Sequence, residues 1–236
     1  MTHPVVFLLD VDNTLLDNDQ VIADLKEHLT RAFGPKRQER YWALFEGLRS
    51  ELGYADYLGA LQRFRVEQPH EPHFLHITYF LLSYPFEQRL FPGVADVLKL
   101  LGAWGPTVVL SDGDVVFQPY KIKRSGLFDA VDGRVLIYIH KEQELADVER
   151  RFGAKNYVLI DDKVRLLTAV KNQWGPRVTT VFPRQGHYAL DAEEVAKYPP
   201  PDVTIDKIGD LLRYDLPALL AAGTVNGQPP DERTAR

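Results

Sequence analysis

Residues 5–9 read Val-Val-Phe-Leu-Leu, and the next residue is Asp10. A strand with one solvated face alternates apolar and polar positions. A strand with no polar position over five residues has to be covered on both faces. That requirement constrains the fold more than any other feature, because it recurs. TVVL at 107–110, YVLI at 157–160 and RVTTVF at 177–182 have the same character, and RVLIYI at 134–139 and DVTI at 202–205 are further candidates. Helical patterns lie between them. VADVLKLLGAWG puts Val94, Val97, Leu98 and Leu101 on one face and predicts a stop at Gly102, while KEQELADVERRFG and DKVRLLTAVKNQWG each end near a glycine. Strands alternating with helices predict βαβ units, hence an α/β fold with a mostly parallel sheet and helices on both sides.

One stretch departs from this alternation. Between the first strand and FPGV at 91–94 there is no good strand, and VIADLKEHLTRAFG, YWALFEGLRSEL, ADYLGALQRF and FLHITYFLLS all read as helices. The stretch is too long for a crossover and too structured for a loop, which predicts a small helical insert. The expected division is a core of residues 1–15 and 88–222, a helical unit of 16–87, and a disordered tail of 223–236 with little to bury. A length of 236 residues suits such a core plus insert.

The balance of charge is −5, which argues against a general nucleic-acid binder. The chain has no cysteine, so disulfides and thiolate metal sites are excluded and a reducing cytoplasm is expected. No apolar run reaches the roughly 18 residues of a membrane span.

In an open parallel sheet, ligands bind beyond the carboxyl ends of the strands. Asp10 stands at that end of the first strand, with Asp12 two residues on, expected to project to the same side if the strand persists, and Asn13-Thr14 favouring a turn. Asp161 and Asp162 end the YVLI strand in the same way. If these strands are neighbours, three or four carboxylates meet at one edge and raise one another's pKa unless a cation neutralises them. Oxygen ligands suit a hard ion such as Mg²⁺. TVVLSDGD adds a hydroxyl, Ser111, beside Asp112 and the backbone of Gly113, and Lys141 opens a helix after IYIH. A hydroxyl, backbone N–H groups and an ammonium suit a phosphoryl group.

Taken in this order, the residues resemble the haloacid dehalogenase superfamily, whose members are mostly phosphatases. DVDNT resembles its first motif, LSDG its second, Lys141 its third and LIDD its fourth, and FPGVADVLKLLGAWG and SGLFD resemble connecting segments, so the likeness spans about residues 4–182. The resemblance implies a Rossmann-like three-layer core with an all-helical cap inserted after the first strand. It implies that Asp10 is the nucleophile that forms an aspartyl-phosphate, and that Asp12 protonates the leaving group and then activates water. Ser111, Asp112, Gly113 and Lys141 would bind the phosphoryl group. Asp10, the carbonyl of Asp12, and Asp162, with Asp161 close by, would hold Mg²⁺. The dehalogenases that name the superfamily lack an acid at the position of Asp12 and need no metal, so Asp12 favours a phosphate ester. The expectation is a Mg²⁺-dependent phosphatase of a small phosphate monoester. The alternatives are a phosphomutase or phosphotransferase with the same intermediate, and a relative that binds a phosphorylated ligand without turnover.

The chain departs from the family pattern at several points. Lys141 is not followed by Pro, and Lys121 and Lys123 compete for its role. Val164, Arg165 and Leu166 stand where a further acid often follows LIDD, and Lys163 is placed to pair with Asp161. Asn13 replaces a frequent Gly.

Other signals read as structural. His70, His73 and His76 are expected to be ordinary surface or core histidines rather than metal ligands. The aromatics of YWALF and ITYF read as packing. Arg49, Arg63 and Arg65 read as a solvated helix face, and RQGHYA, with Gly186 and His187, as a surface loop. Oligomeric state is left open.

Overall fold

The computed structural model describes residues 2–225. Six strands form one sheet: β1 (His3–Leu9), β2 (Thr107–Asp112), β3 (Val135–Tyr138), β4 (Ala154–Ile160), β5 (Val178–Pro183) and β6 (Val203–Ile205). All pairs are parallel, and the order is β3-β2-β1-β4-β5-β6. β1 lies inside the sheet, with Leu9 opposite both Val109 and Ile160. Its apolar run is covered on both sides, as five consecutive apolar residues require. Val5, Phe7 and Leu9 join one hydrophobic cluster, and Val6 and Leu8 join another on the opposite face. Each of the five is at most 1% exposed, and burying one such side chain contributes about 2 kcal/mol.

Four helices follow β1: α1 (Asn18–Phe33), α2 (Pro35–Leu52), α3 (Tyr57–Glu67) and α4 (Phe74–Ser83). Asp17 caps α1 by accepting the Gln20 N–H, and Asp56 caps α3 by accepting that of Gly59. Gly53 closes α2 at φ 83°, which a β-carbon would strain. The buried stripe of α1, Val21, Leu25, Leu29 and Phe33, packs with Tyr41, Phe45 and Phe64 in a cluster continuous with the Val5 side of the sheet.

The chain then returns to the sheet through α5 (Val94–Trp104), which runs past Gly102 and is capped by Gly105. An interior glycine costs a helix only about 1 kcal/mol, and the Leu98–Leu101 face carries this one through. α6 (Phe117–Arg124) and α7 (Leu127–Ala130) follow β2, and α8 (Leu145–Arg151) follows β3. α9 (Val164–Trp174) connects β4 to β5. RQGHYA, expected as a loop, instead contains α10 (Gly186–Leu190), with α11 (Ala192–Val195) directly after it.

α12 (Leu216–Val225) corrects the expected tail at its start: Gly223 is buried against β5, where a β-carbon would meet Thr179 Oγ1 at 2.3 Å. Residues 226–236 of that expectation lie outside the described ones. Among the described residues no helix is long and apolar enough to cross a membrane.

Candidate active site

β1 stops at Leu9, and its pairing with β4 brings Asp10 beside Asp161 and Asp162. One carboxylate oxygen from each of the three lies within 4.8 Å of the others, and all three side chains are buried. Lys141, 2% exposed, enters from the turn after β3. Its ammonium sits 2.6 Å from Asp10 Oδ1 and 2.6 Å from Asp161 Oδ2. Burial alone would lower the lysine's pKa, but Asp10, Asp161 and Asp112 outweigh it and hold it well above the usual value. Lys163, expected to pair with Asp161, does so only through its backbone N–H, at 2.8 Å. Its ammonium lies over the Tyr188 ring.

Burial pushes the Asp162 carboxyl well above its ordinary range, and Asp161 beside it adds to the effect. Burial likewise pushes Asp161 up to about 6, with Lys141 opposing. Both Asp162 oxygens, and Asp10 Oδ2, have no hydrogen-bond partner and are shut off from water. Orphaned buried carboxylate oxygens are costly, and such oxygens within a cluster of three carboxylates fit a hard cation. The Lys141 ammonium contacts Asp10 and Asp161 but not Asp162, so with all three ionised the carboxylates outnumber the one ammonium in contact with them. A divalent ion would offset that excess.

The turn after Asp10 is fastened from several sides. Asn13 takes a left-handed conformation, φ 60°, which explains how Asn serves where Gly is frequent. Its side-chain oxygen accepts the Asn18 and Asp19 N–H groups at the start of α1. The buried Thr14 hydroxyl accepts the Asp162 N–H at 3.0 Å. Gln185 donates to the carbonyls of Asn13 and Thr14 and accepts the Ile208 N–H.

Asp12 does not join the carboxylate cluster. Its Oδ1 is 2.5 Å from Lys121 Nζ, and its Oδ2 accepts from Gln118 Nε2 at 3.3 Å. The same Gln118 amide donates to Ser111 Oγ at 2.9 Å. Asp112 Oδ1 accepts the Lys141 N–H. The Gly113 N–H, expected to face a phosphoryl group, is spent on Tyr138 O at 3.0 Å inside the sheet. Of the three lysines that the sequence offers for one role, Lys141 holds Asp10, Lys121 holds Asp12, and Lys123 pairs outside with Asp129.

A cavity of about 800 Å³ opens beside these groups, between the helices that follow β1 and the carboxyl end of the sheet. Asp12, Asp112 and Asp162 line its floor. Arg49 and Trp42 line the helical side. Arg49 therefore corrects the expected solvated face, whereas Arg63 pairs outside with Glu51. Arg49 donates to the Tyr188 hydroxyl across the cavity. His187 also reaches across, its Nδ1 2.6 Å from Asp19 Oδ1. The pattern of RQGHYA gives no warning of this, because its turn-like composition hides a five-residue helix. The histidines 70, 73 and 76 form no metal cluster: among the described residues Asp10, Asp161 and Asp162 are the one such group, and His73 bonds Glu71.

A family model for haloacid dehalogenase-like hydrolases matches residues 5–172. A haloacid dehalogenase-like hydrolase from Burkholderia xenovorans LB400 is 60% identical over 90% of this chain and 99% of its own, with a TM-score of 0.86. The L-2-haloacid dehalogenase of Xanthobacter autotrophicus, with chloropropionic acid covalently bound, is 18% identical over 90% and 98% of the two chains, TM-score 0.58. The HAD-hydrolase YfnB of Bacillus subtilis, bound to magnesium, is 15% identical over 90% and 98%, TM-score 0.59. No curated protein matches. The chain belongs to the haloacid dehalogenase-like hydrolases.

Proposed function

We propose that the protein is a Mg²⁺-dependent phosphatase of a small phosphate monoester. The observation that carries this reading is the uncompensated charge of the Asp10, Asp161 and Asp162 cluster, with its orphaned oxygens, beside a cavity that Asp12 also lines. Asp10, Asp162 and the carbonyl of Asp12 would hold the ion, with Asp161 tied to Lys141 behind them. When bound, the ion would neutralise the transferring phosphoryl group and lower the cost of bringing an anion to a carboxylate. Lys141 supplies a further positive charge there, and the Ser111 hydroxyl a further donor.

In the first step an Asp10 oxygen bonds to phosphorus and the ester P–O bond breaks. The departing oxygen takes a proton from Asp12. In the second step Asp12 accepts a proton from water as that water attacks phosphorus, which frees Asp10 and releases phosphate. Splitting one displacement into two is the gain of covalent catalysis. A halide needs no proton on leaving whereas an alkoxide does, so Asp12 beside the cavity favours an ester over a carbon–halogen bond. The helices of 16–87 act as the cap that excludes water and reads the rest of the substrate. A cavity of this volume suits an organic group much larger than phosphate alone.

Purified protein is expected to hydrolyse p-nitrophenyl phosphate with Mg²⁺, to stop with chelator, and to lose turnover in Asp10→Asn. Full activity in Asp10→Asn would refute the nucleophile.

A further inference from the structure

The chemistry proposed above leaves Lys121 unused, yet its side chain is 1% exposed. Besides Asp12 Oδ1 at 2.5 Å, its ammonium has Asn18 Oδ1 at 3.4 Å. Gln118, one helical turn earlier on α6, holds the other Asp12 oxygen. A β-carbon at residue 113 would stand 2.8 Å from Gln118 Cβ, so Gly113 lets α6 come this close. From the helical side, Tyr57 of α3 lines the same cavity as Asn18.

Burying an ammonium costs several kcal/mol unless its partners repay the loss of water. A lysine that serves stability alone is best repaid by partners as buried as itself. Here the strongest partner is a carboxylate 28% exposed and facing the cavity. Asp12 follows Asp10 by two residues in a tight turn. It is nevertheless absent from the carboxylate cluster, and both of its oxygens are held from α6.

We propose that Lys121 is a positioning residue for Asp12. It holds that carboxylate away from the cation cluster and presents it to the cavity, where the leaving group and the attacking water must meet it. Two buried lysines thereby divide the site. Lys141 fixes the attacking carboxylate and its neighbour, and Lys121 fixes the proton carrier. The inference rests on the phosphatase reading.

The test compares wild type, Lys121→Met, Asp12→Asn and the double variant, each with Mg²⁺, on p-nitrophenyl phosphate and on an alkyl phosphate. The first leaving group departs as a stable anion and depends little on an acid; the second depends on one strongly. Lys121→Met is expected to lower kcat on the alkyl ester by about 10- to 100-fold with KM little changed, and to lower it less on the nitrophenyl ester. In the Asp12→Asn background it is expected to change nothing further, because the two act as one unit. Retained thermal stabilisation by Mg²⁺ with beryllium fluoride, a mimic of phosphorylated Asp10, shows that the remaining site is intact. If Lys121→Met does not fold, Lys121→Gln, which keeps a donor without the charge, takes its place. Equal losses on both esters, or a loss that adds to that of Asp12→Asn, would overturn the role of Lys121 and leave the phosphatase reading standing. A wild-type protein that neither turns over an ester nor is stabilised by the mimic would overturn that reading, and this inference with it.

Discussion

At the scale of single residues, Asp162 is the most consequential side chain. Its folded pKa lies well above the unfolded value of 3.8, and that of Asp161 lies near 6. Between the unfolded and folded values the native state holds more protons than the unfolded one, so stability falls as pH rises. Metal-free protein is therefore expected to be more stable near pH 4 than near pH 7 as far as this cluster decides it, and Mg²⁺ is expected to abolish the fall. Thermal unfolding against pH, with and without chelator, checks both. Asp162→Asn removes one charge from the cluster. It is expected to raise the metal-free melting temperature at pH 7, and to weaken Mg²⁺ binding beyond the roughly 10- to 100-fold that losing an outer partner costs. Asp10 and the Asp161–Asp162 pair are legible in the sequence because each directly follows an apolar strand, and neighbouring parallel strands bring their ends together. Lys121 is not legible in that way. Its burial depends on a partner 109 positions earlier, and no local period marks it.

At the scale of elements, the joint between α9, β5 and α12 turns on a partly buried ion pair, with Asp202 the buried partner. Lys171 donates to Asp202 and to the carbonyls of Val178 and Gly223, each at 2.8 Å. The same Asp202 oxygen accepts the N–H and hydroxyl of Thr180. Asp202→Ala would leave the ammonium without its counter-charge, at an expected cost of about 3–5 kcal/mol, measurable by urea unfolding. Gly223→Ala, which drives a methyl group into Thr179, is expected to loosen α12 without touching activity. The strands and longer helices are legible because each satisfies one period over many residues. β3 is shorter than RVLIYI suggests, since only Val135–Tyr138 find partners on β2. α10 and the end of α12 are hidden for a different reason. Tertiary contact, not propensity, stabilises them: Gly186 fits against Asn13, where a β-carbon would come within 2.4 Å, and Gly223 fits against β5.

At the scale of the whole molecule, the helical unit meets the sheet across the cavity through side chains half in water, Arg49 with Tyr188 and Asp19 with His187. Such exposed pairs contribute at most about 1 kcal/mol each, so the contacts across the cavity are expected to open more easily than the hydrophobic cluster that also joins the helices to the sheet. Hydrogen exchange is expected to slow at residues 18–23 and 186–190 when Mg²⁺ and beryllium fluoride are added, and to stay fast with Mg²⁺ alone.

The place of β1 in the sheet also says something about how the chain is made. β1 leaves the ribosome before either strand it pairs with and is among the most apolar, yet Phe7 pairs with Thr107 and Val158, and Val5 with Asn156. Until β2 has been synthesised this segment has no edge to join, and its second edge waits for β4; before that only the helices that follow can cover its side chains. Contacts so distant in sequence form slowly and leave sticky surface open. Early collapse of the helices that follow β1, which share a hydrophobic cluster with Val5, Phe7 and Leu9, would shelter that strand while its partners are still being made.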